Sequence, residues 1–378
     1  MAYFDHAATQ PMRRSAVEAW VAASGALNSG AQYASGRHAR SLLDDARETV
    51  AELLGCEPIE VIFTSSGTEA DNIAVQGLYA AAAVAEAPGA GRVVTTRIEH
   101  SAVKEPVAAL HAAGAHVDFL DVGRSGHVER FDALDAPAAL ATCMWANNET
   151  GAIQPITEIV ERAQATGTPV HTDAVQVVGK QPVNFAELGV TTLAASAHKF
   201  GGPRGAGLLL AQRTPAPQPI MRGGGQERGI RPGTVDVASA SALAAALRES
   251  LAESAEEAAR VGVFRDQIRE YMRNNIPGAV INTAEPALPG HLHVSFERTD
   301  GDSLILLLDQ LGIEAATGSA CNAGVNRLSH VLEAMGVEES LALGSLRFTL
   351  GPSTTQGDVD KLLTHLPEVI ERARLVHG

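Results

Sequence analysis

Lys199 stands in Ser196-Ala197-His198-Lys199, directly after an apolar run and ahead of Gly201-Gly202-Pro203. A lysine at a strand end among small residues can lose its charge on burial and attack a carbonyl to form a Schiff base. Taken alone, the segment reads more readily as a surface lysine after a strand. Asp173 closes a second apolar run in His171-Thr172-Asp173-Ala174-Val175-Gln176, where a carboxylate could hold a protonated pyridine nitrogen. Ser65-Ser66-Gly67-Thr68-Glu69-Ala70 joins a third run, Val61–Thr64, to a helical stretch. Small and hydroxyl-bearing residues at a helix start cradle a phosphate through backbone N–H groups and the helix dipole; taken alone, they are an ordinary cap. Lysine, acid and anion cradle at the ends of strands in one sheet together describe a site for pyridoxal 5'-phosphate (PLP).

Elements that place such residues are legible in the apolar period. Ala39, Leu42, Leu43, Ala46, Val50, Leu53 and Leu54 form one stripe at helical spacing, stopped by Gly55. Short apolar runs follow near 61–63, 93–94, 117–120, 140–144, 169–172, 192–195 and 207–210, with helical stretches at 69–86, 101–113 and 156–166. Strands alternating with helices predict a mainly parallel sheet covered on both faces, with ligands at its carboxyl edge. After Pro- and Gly-rich sequence at 212–234, a long Ala-rich helix at about 236–260 leads to a second unit. That unit reads as helix 263–275, strands 279–282 and 291–296, helix 302–311, loop 315–325, helix 326–335, strand 345–350 and closing helix 356–376, a smaller α+β arrangement.

The 378 residues suit two domains or one large α/β unit. Hydrophobic residues at 45% and charged residues at 19% exclude wholesale disorder. The net charge of −15 argues against direct nucleic-acid binding. No run of about 18 apolar residues predicts a membrane span. With Asp5 near its start, MAYFDHAATQ does not read as a secretory leader. Three cysteines without CxxC spacing build neither a disulfide framework nor an ordinary zinc site. A cytoplasmic protein is therefore expected.

From end to end, the chain resembles the cysteine desulfurases of the NifS/IscS-like branch, within class V of the fold-type I PLP-dependent transferases. The matching motifs include Tyr3-Phe4-Asp5-His6-Ala7-Ala8-Thr9, Asn28-Ser29-Gly30, Ser66-Gly67-Thr68-Glu69, Glu99-His100 and Asn147-Asn148-Glu149-Thr150-Gly151. They continue through Asp173-Ala174-Val175-Gln176, His198-Lys199, residues 223–229, Arg231-Pro232-Gly233-Thr234 and Gly318-Ser319-Ala320-Cys321.

The resemblance implies a large PLP-binding domain over 15–245, built on a mainly parallel seven-stranded sheet. Residues 1–14 and 246–378 would form a smaller α+β domain carrying the catalytic cysteine loop, about 315–325. It further implies that Lys199 bonds the cofactor and moves the substrate α-proton, and that Asp173 pairs with the pyridine nitrogen. Gln176 and Asn148 would lie near the phenolic oxygen, with His100 stacked on the ring. Gly67, Thr68, Ser196 and His198 would hold the phosphate, and Thr234 would reach the phosphate in the partner subunit of a homodimer. Arg347 would grip the substrate carboxylate, a task suited to guanidinium geometry.

Taken singly, His100 also suits a structural histidine, Asn147-Asn148 a turn, and Arg347 a structural ion-pair partner. Cys56 and Cys143 are read as inert. Cys321, in a run of small residues able to move, is the expected nucleophile that would carry sulfur from L-cysteine as a persulfide. A sulfur-acceptor protein, a scaffold or a thiolation enzyme, would receive it. Departures from the family pattern occur at His6, where Asn is usual, at Asn322, and at Asn326-Arg327. The alternatives are another class V PLP enzyme (a selenocysteine or cysteine-sulfinate lyase, or an aminotransferase) or a catalytically silent scaffold of this fold.

Overall fold

The computed structural model describes residues 1–318 and 328–377. Cys321, Asn322, Asn326 and Arg327 lie outside the described residues. Its strands, in chain order, are β1 (Ala2–Tyr3), β2 (Val61–Thr64), β3 (Arg92–Thr96), β4 (His116–Val122), β5 (Val128–Arg130), β6 (Leu140–Thr142) and β7 (Val170–Asp173). They continue with β8 (Thr192–Ser196), β9 (Gly207–Ala211), β10 (Ala279–Ile281), β11 (His291–Phe296), β12 (Ile313–Glu314) and β13 (Ser345–Thr349).

Eight strands form one sheet in the order β2-β9-β8-β7-β6-β3-β4-β5. The pairs β3–β4, β3–β6, β6–β7 and β7–β8 are parallel, whereas β2–β9, β8–β9 and β4–β5 are antiparallel. The sheet is thus mainly parallel, with eight strands in place of the seven expected. The additional strand is β5, three residues that pair back on β4. Gly126 at φ +81° turns the chain between them, and β5 covers the edge that β4 would otherwise expose. Three residues are too few for an alternating pattern to announce a strand.

The central strands β6, β7, β8 and β9 are buried throughout, as continuous apolar runs between helical layers should be. Helix Gly67–Val84 packs along β8 and β9 and begins at the carboxyl edge where β2 ends.

A second, antiparallel sheet has the order β10-β11-β13. Leu292, Val294, Phe296, Leu346 and Phe348 project from it into a separate apolar core with helix Gln356–His377. β1 reaches into this region and pairs in parallel with β12.

The two helices expected at 236–260 and 263–275 are one 39-residue helix, Val237–Asn275, about 58 Å long at ~1.5 Å per residue. Gly262 breaks the apolar period in the sequence, but a lone glycine costs a helix only ~1 kcal/mol. Packing at both ends outweighs that: Leu243 and Leu247 enter the core of the large sheet, while Val261, Ile268 and Met272 enter that of the small one. The helix expected at 326–335 is also shorter, His330–Ala334, because Ser329 caps it by accepting from the N–H groups of Val331 and Leu332.

Candidate active site

A cavity of about 290 Å³ opens at the carboxyl edge of the central strands, at the small end of the ~300–1,000 Å³ usual for ligand pockets. Gly67, Thr68, His100, Asn148, Asp173, Gln176, Ser196, His198, Lys199 and Arg347 all line it. Thr234 does not: it is exposed.

Lys199 closes the short 3-10 turn after β8. Its Nζ donates to the carbonyls of Ala7 at 2.7 Å and Ala8 at 2.9 Å, so the N-terminal segment forms one wall. Asp173, the last residue of β7, is buried and accepts from Val175 N–H at 2.9 Å. Burial raises its carboxyl above the ordinary range, opposed by the nearby His100 and Lys199 charges. A cationic partner in the cavity would therefore be strongly favoured.

His100 caps helix Ser101–Ala112, its Nδ1 accepting from Ala102 N–H at 3.1 Å. That bond leaves Nε2 to carry the proton in the neutral ring, and burial lowers its pKa toward that neutral form. His198 is likewise pushed down to about 4, mainly by burial, and its Nδ1 lies 3.1 Å from Thr9 Oγ1.

The anion cradle is built at the start of helix Gly67–Val84. Ser66 accepts from Glu69 N–H, and the first N–H groups of any helix lack intrahelical partners. A Cβ on Gly67 would lie 2.8 Å from Val175 Cγ2 and 3.3 Å from Ser196 Cβ; glycine lets the helix start press against β8. Arg231 Nε pairs with Glu69 at 3.0 Å and so ties the Arg231–Thr234 loop to the same helix start.

Opposite this wall is Arg347, in the middle of β13 and 3% exposed. Its guanidinium donates to Asn148 O at 2.9 Å and to Asp5 Oδ1 at 2.5 Å, and its Nε has no hydrogen-bond partner. Gly318, on the same side, packs close to Glu149, which also accepts from Ser329 Oγ at 2.6 Å. Glu149 therefore touches both described flanks of segment 319–327.

Of the described cysteines, Cys143 is buried and its thiol is pushed well up by burial. Burial, then Glu60, pushes Cys56 up to about 12. Neither forms a thiolate readily near neutral pH. The sequence reading missed Asp71, whose unpartnered Oδ2 is buried beside the cavity, and Asp5 as partner of Arg347. Asp71 pairs with His171 Nε2 at 3.1 Å, burial raising the acid and lowering the base to about 3, so the pair is held neutral. Only the quoted Asp5 motif carried a signal for either.

These residues fit PLP. A lysine, an acid suited to a cation, a neutral ring and a glycine-lined helix start surround one cavity, with a buried guanidinium across from them. Among the described residues no group of three or more His, Cys, Asp or Glu could hold a metal ion, and no helix is long and apolar enough to cross a membrane.

The profile of the class-V aminotransferase family matches residues 2–362. The chain is 45% identical to an IscS-like cysteine desulfurase of Mycobacterium tuberculosis, over 99% of this chain and 97% of that protein. It is 38% identical to the cysteine desulfurase IscS of Dictyoglomus turgidum, covering 99% and 95% of the two chains. Among solved structures, a NifS-like protein superposes with a TM-score of 0.89 at 33% identity, covering 98% of this chain and 99% of that one. SspA, solved in complex with cysteine, superposes with a TM-score of 0.81 at 30% identity over 94% and 100%.

Proposed function

The chain belongs to the class-V aminotransferase family, and from that membership we propose that it is a PLP-dependent cysteine desulfurase converting L-cysteine to L-alanine. The observation that carries this reading is one cavity in which Lys199 and Asp173 face Arg347. PLP, when bound, supplies the electron sink that lets a proton leave the α-carbon.

The chain's own residues do the rest. Arg347 holds the substrate carboxylate through guanidinium hydrogen bonds, and Asn148 lies beside it. Lys199 Nζ, held by two carbonyls, would hold the cofactor covalently and is placed to move the α-proton. With the cofactor bound, Asp173 would keep the pyridine nitrogen protonated, Gln176 would serve the phenolic oxygen, and His100 would lie against the ring and assist proton transfer. Gly67, Thr68, Ser196 and His198 would hold the phosphate, and Thr234 would serve the partner subunit's cofactor in a homodimer. The Cys321 thiolate attacks the substrate sulfur: an S–S bond forms, the C–S bond breaks, and its electron pair returns toward carbon, which is protonated to give alanine. With Cys56 and Cys143 both held as thiols, Cys321 is the fitting nucleophile.

Residues 15–245 would serve as the cofactor domain, and 1–14 with 246–378 as the domain that carries Cys321; their boundary falls within helix Val237–Asn275. The persulfide then passes in the cytoplasm to an acceptor protein for iron–sulfur cluster, thio-cofactor or tRNA thiolation.

The purified protein should be yellow and release alanine from L-cysteine. Lys199→Ala should lose the borohydride-reducible cofactor link. Cys321→Ala should still change its visible spectrum with L-cysteine, yet release neither alanine nor sulfide under reducing conditions. Alanine production by Cys321→Ala at the wild-type rate, or amino transfer to a keto acid by the wild type, would overturn the desulfurase reading.

A further inference from the structure

Lys180 lies outside the lining of the cavity, four residues beyond Gln176. Its Nζ donates to Gln176 Oε1 at 3.1 Å. The other end of that carboxamide, Nε2, donates to Ala7 O at 3.0 Å, the same carbonyl that accepts from Lys199 Nζ at 2.7 Å. An ammonium has donors only, and the two ends of a carboxamide differ. A flipped Gln176 would set its NH2 group against the Lys180 ammonium and its oxygen against the Ala7 carbonyl, losing both bonds. The wild-type arrangement leaves the second Nε2 hydrogen for whatever acceptor enters the cavity.

We propose that Lys180 is a positioning residue that fixes the Gln176 carboxamide with its NH2 end toward the cavity, so that Gln176 donates to an anionic ring oxygen there. This rests on the reading of the cavity as a PLP site. Lys180 is half-buried and feels charged or titratable groups from several elements: Lys199 after β8, Glu257 on the long helix, Arg347 on β13, His291 on β11, and His6 and His198 beside the N-terminal segment. Burial and the neighbouring Lys199 charge lower its pKa to about 7, with Glu257 opposing. The hold on Gln176 is therefore firmest on the acid side of neutrality, where Lys180 is charged and can only donate.

The test is a double-mutant cycle read by the pH midpoint of the bound cofactor's visible band. Wild type, Lys180→Met, Gln176→Ala and the double variant are loaded with PLP, and borohydride-reducible cofactor is quantified in each. Reducible cofactor should be retained in all four. The midpoint should move up by roughly one to two pH units in Lys180→Met, the size of one hydrogen bond to a charged acceptor. In the Gln176→Ala background the same substitution should move it by much less, because its effect runs through Gln176. Lys180→Arg should stay near the wild-type midpoint, and Lys180→Gln takes the place of Lys180→Met should that variant not accumulate. An equal shift in both backgrounds would make Lys180 a bare charge, and no shift would make it structural; either result overturns the proposal. Absence of reducible cofactor from the wild type would instead overturn the PLP reading itself.

Discussion

The two sheets contribute to one cavity by different means. From the eight-stranded sheet come residues at strand ends: Asp173 closes β7, Lys199 follows β8, and Gly67 follows β2. The carboxyl edge of a parallel sheet gathers such residues whatever their distance in sequence. From the three-stranded sheet comes Arg347, which sits in mid-strand between buried Leu346 and Phe348. Alternation along β13 turns it away from the small core and against Asp5 and Asn148. One wall is made by topology, the other by a single side chain with two partners. The first should be sensitive in chemistry, the second in substrate binding.

The largest effect is expected from the topological wall. Asp173→Ala should retain the fold and some cofactor but lose turnover by about 10²–10³-fold, the scale of removing one preorganised electrostatic contact at a reacting centre. Its KM for L-cysteine should change little. Steady-state kinetics with circular dichroism of the variant checks this, and near-wild-type turnover would make the acid structural.

Arg347→Ala should shift the loss to binding. Removing charged hydrogen bonds costs about 1.5–3 kcal/mol, so kcat/KM should fall roughly 10- to 150-fold, chiefly through KM. The visible band of the protein without substrate should be unchanged. Asp5→Asn, which keeps an acceptor but removes the charge facing Arg347, should raise KM less than Arg347→Ala does. If Arg347→Ala lowers kcat with KM intact, the contrast between the two walls is wrong.

Legibility in the sequence follows the same division. Strand-end residues stand out because an apolar run announces the strand and the polar residue after it breaks the run, as at Asp173 and Lys199. Arg347 has no such signal and was identified through its family motif. Long-range partners are less visible still: Asp5 meets Arg347 across 342 positions, and Asp71 pairs with His171 across 100. Local pattern also failed where tertiary packing overrode it. The break expected between 260 and 263 falls inside one helix that packs into two cores, and β5 was too short to declare itself.

The smallest effect concerns the N-terminal wall at His6. The ring is 2% exposed. Its Nε2 lies 3.2 Å from Ser353 Oγ, and a Cβ on Gly351 would come within 2.4 Å of Nδ1. Burial, with the Lys180 and Arg260 charges adding, pushes its pKa down to about 4. The folded state therefore resists a proton that the unfolded chain accepts below about 6.5. As pH falls from 6.5 through 4, the unfolded state binds more protons, and stability drops by up to ~3 kcal/mol from this group alone. His6→Asn removes that linkage and keeps a polar side chain able to meet Ser353. At pH 7.5 the variant should match the wild type to within ~1 kcal/mol, with unchanged turnover. At pH 4.5 it should be the more stable of the two by urea unfolding, and its stability should depend less steeply on pH between those limits. The measurement is the difference between the two pH profiles, so the other buried histidines and acids, common to both proteins, cancel. Parallel profiles would mean that His6 takes up its proton as readily in the folded state as in the unfolded chain.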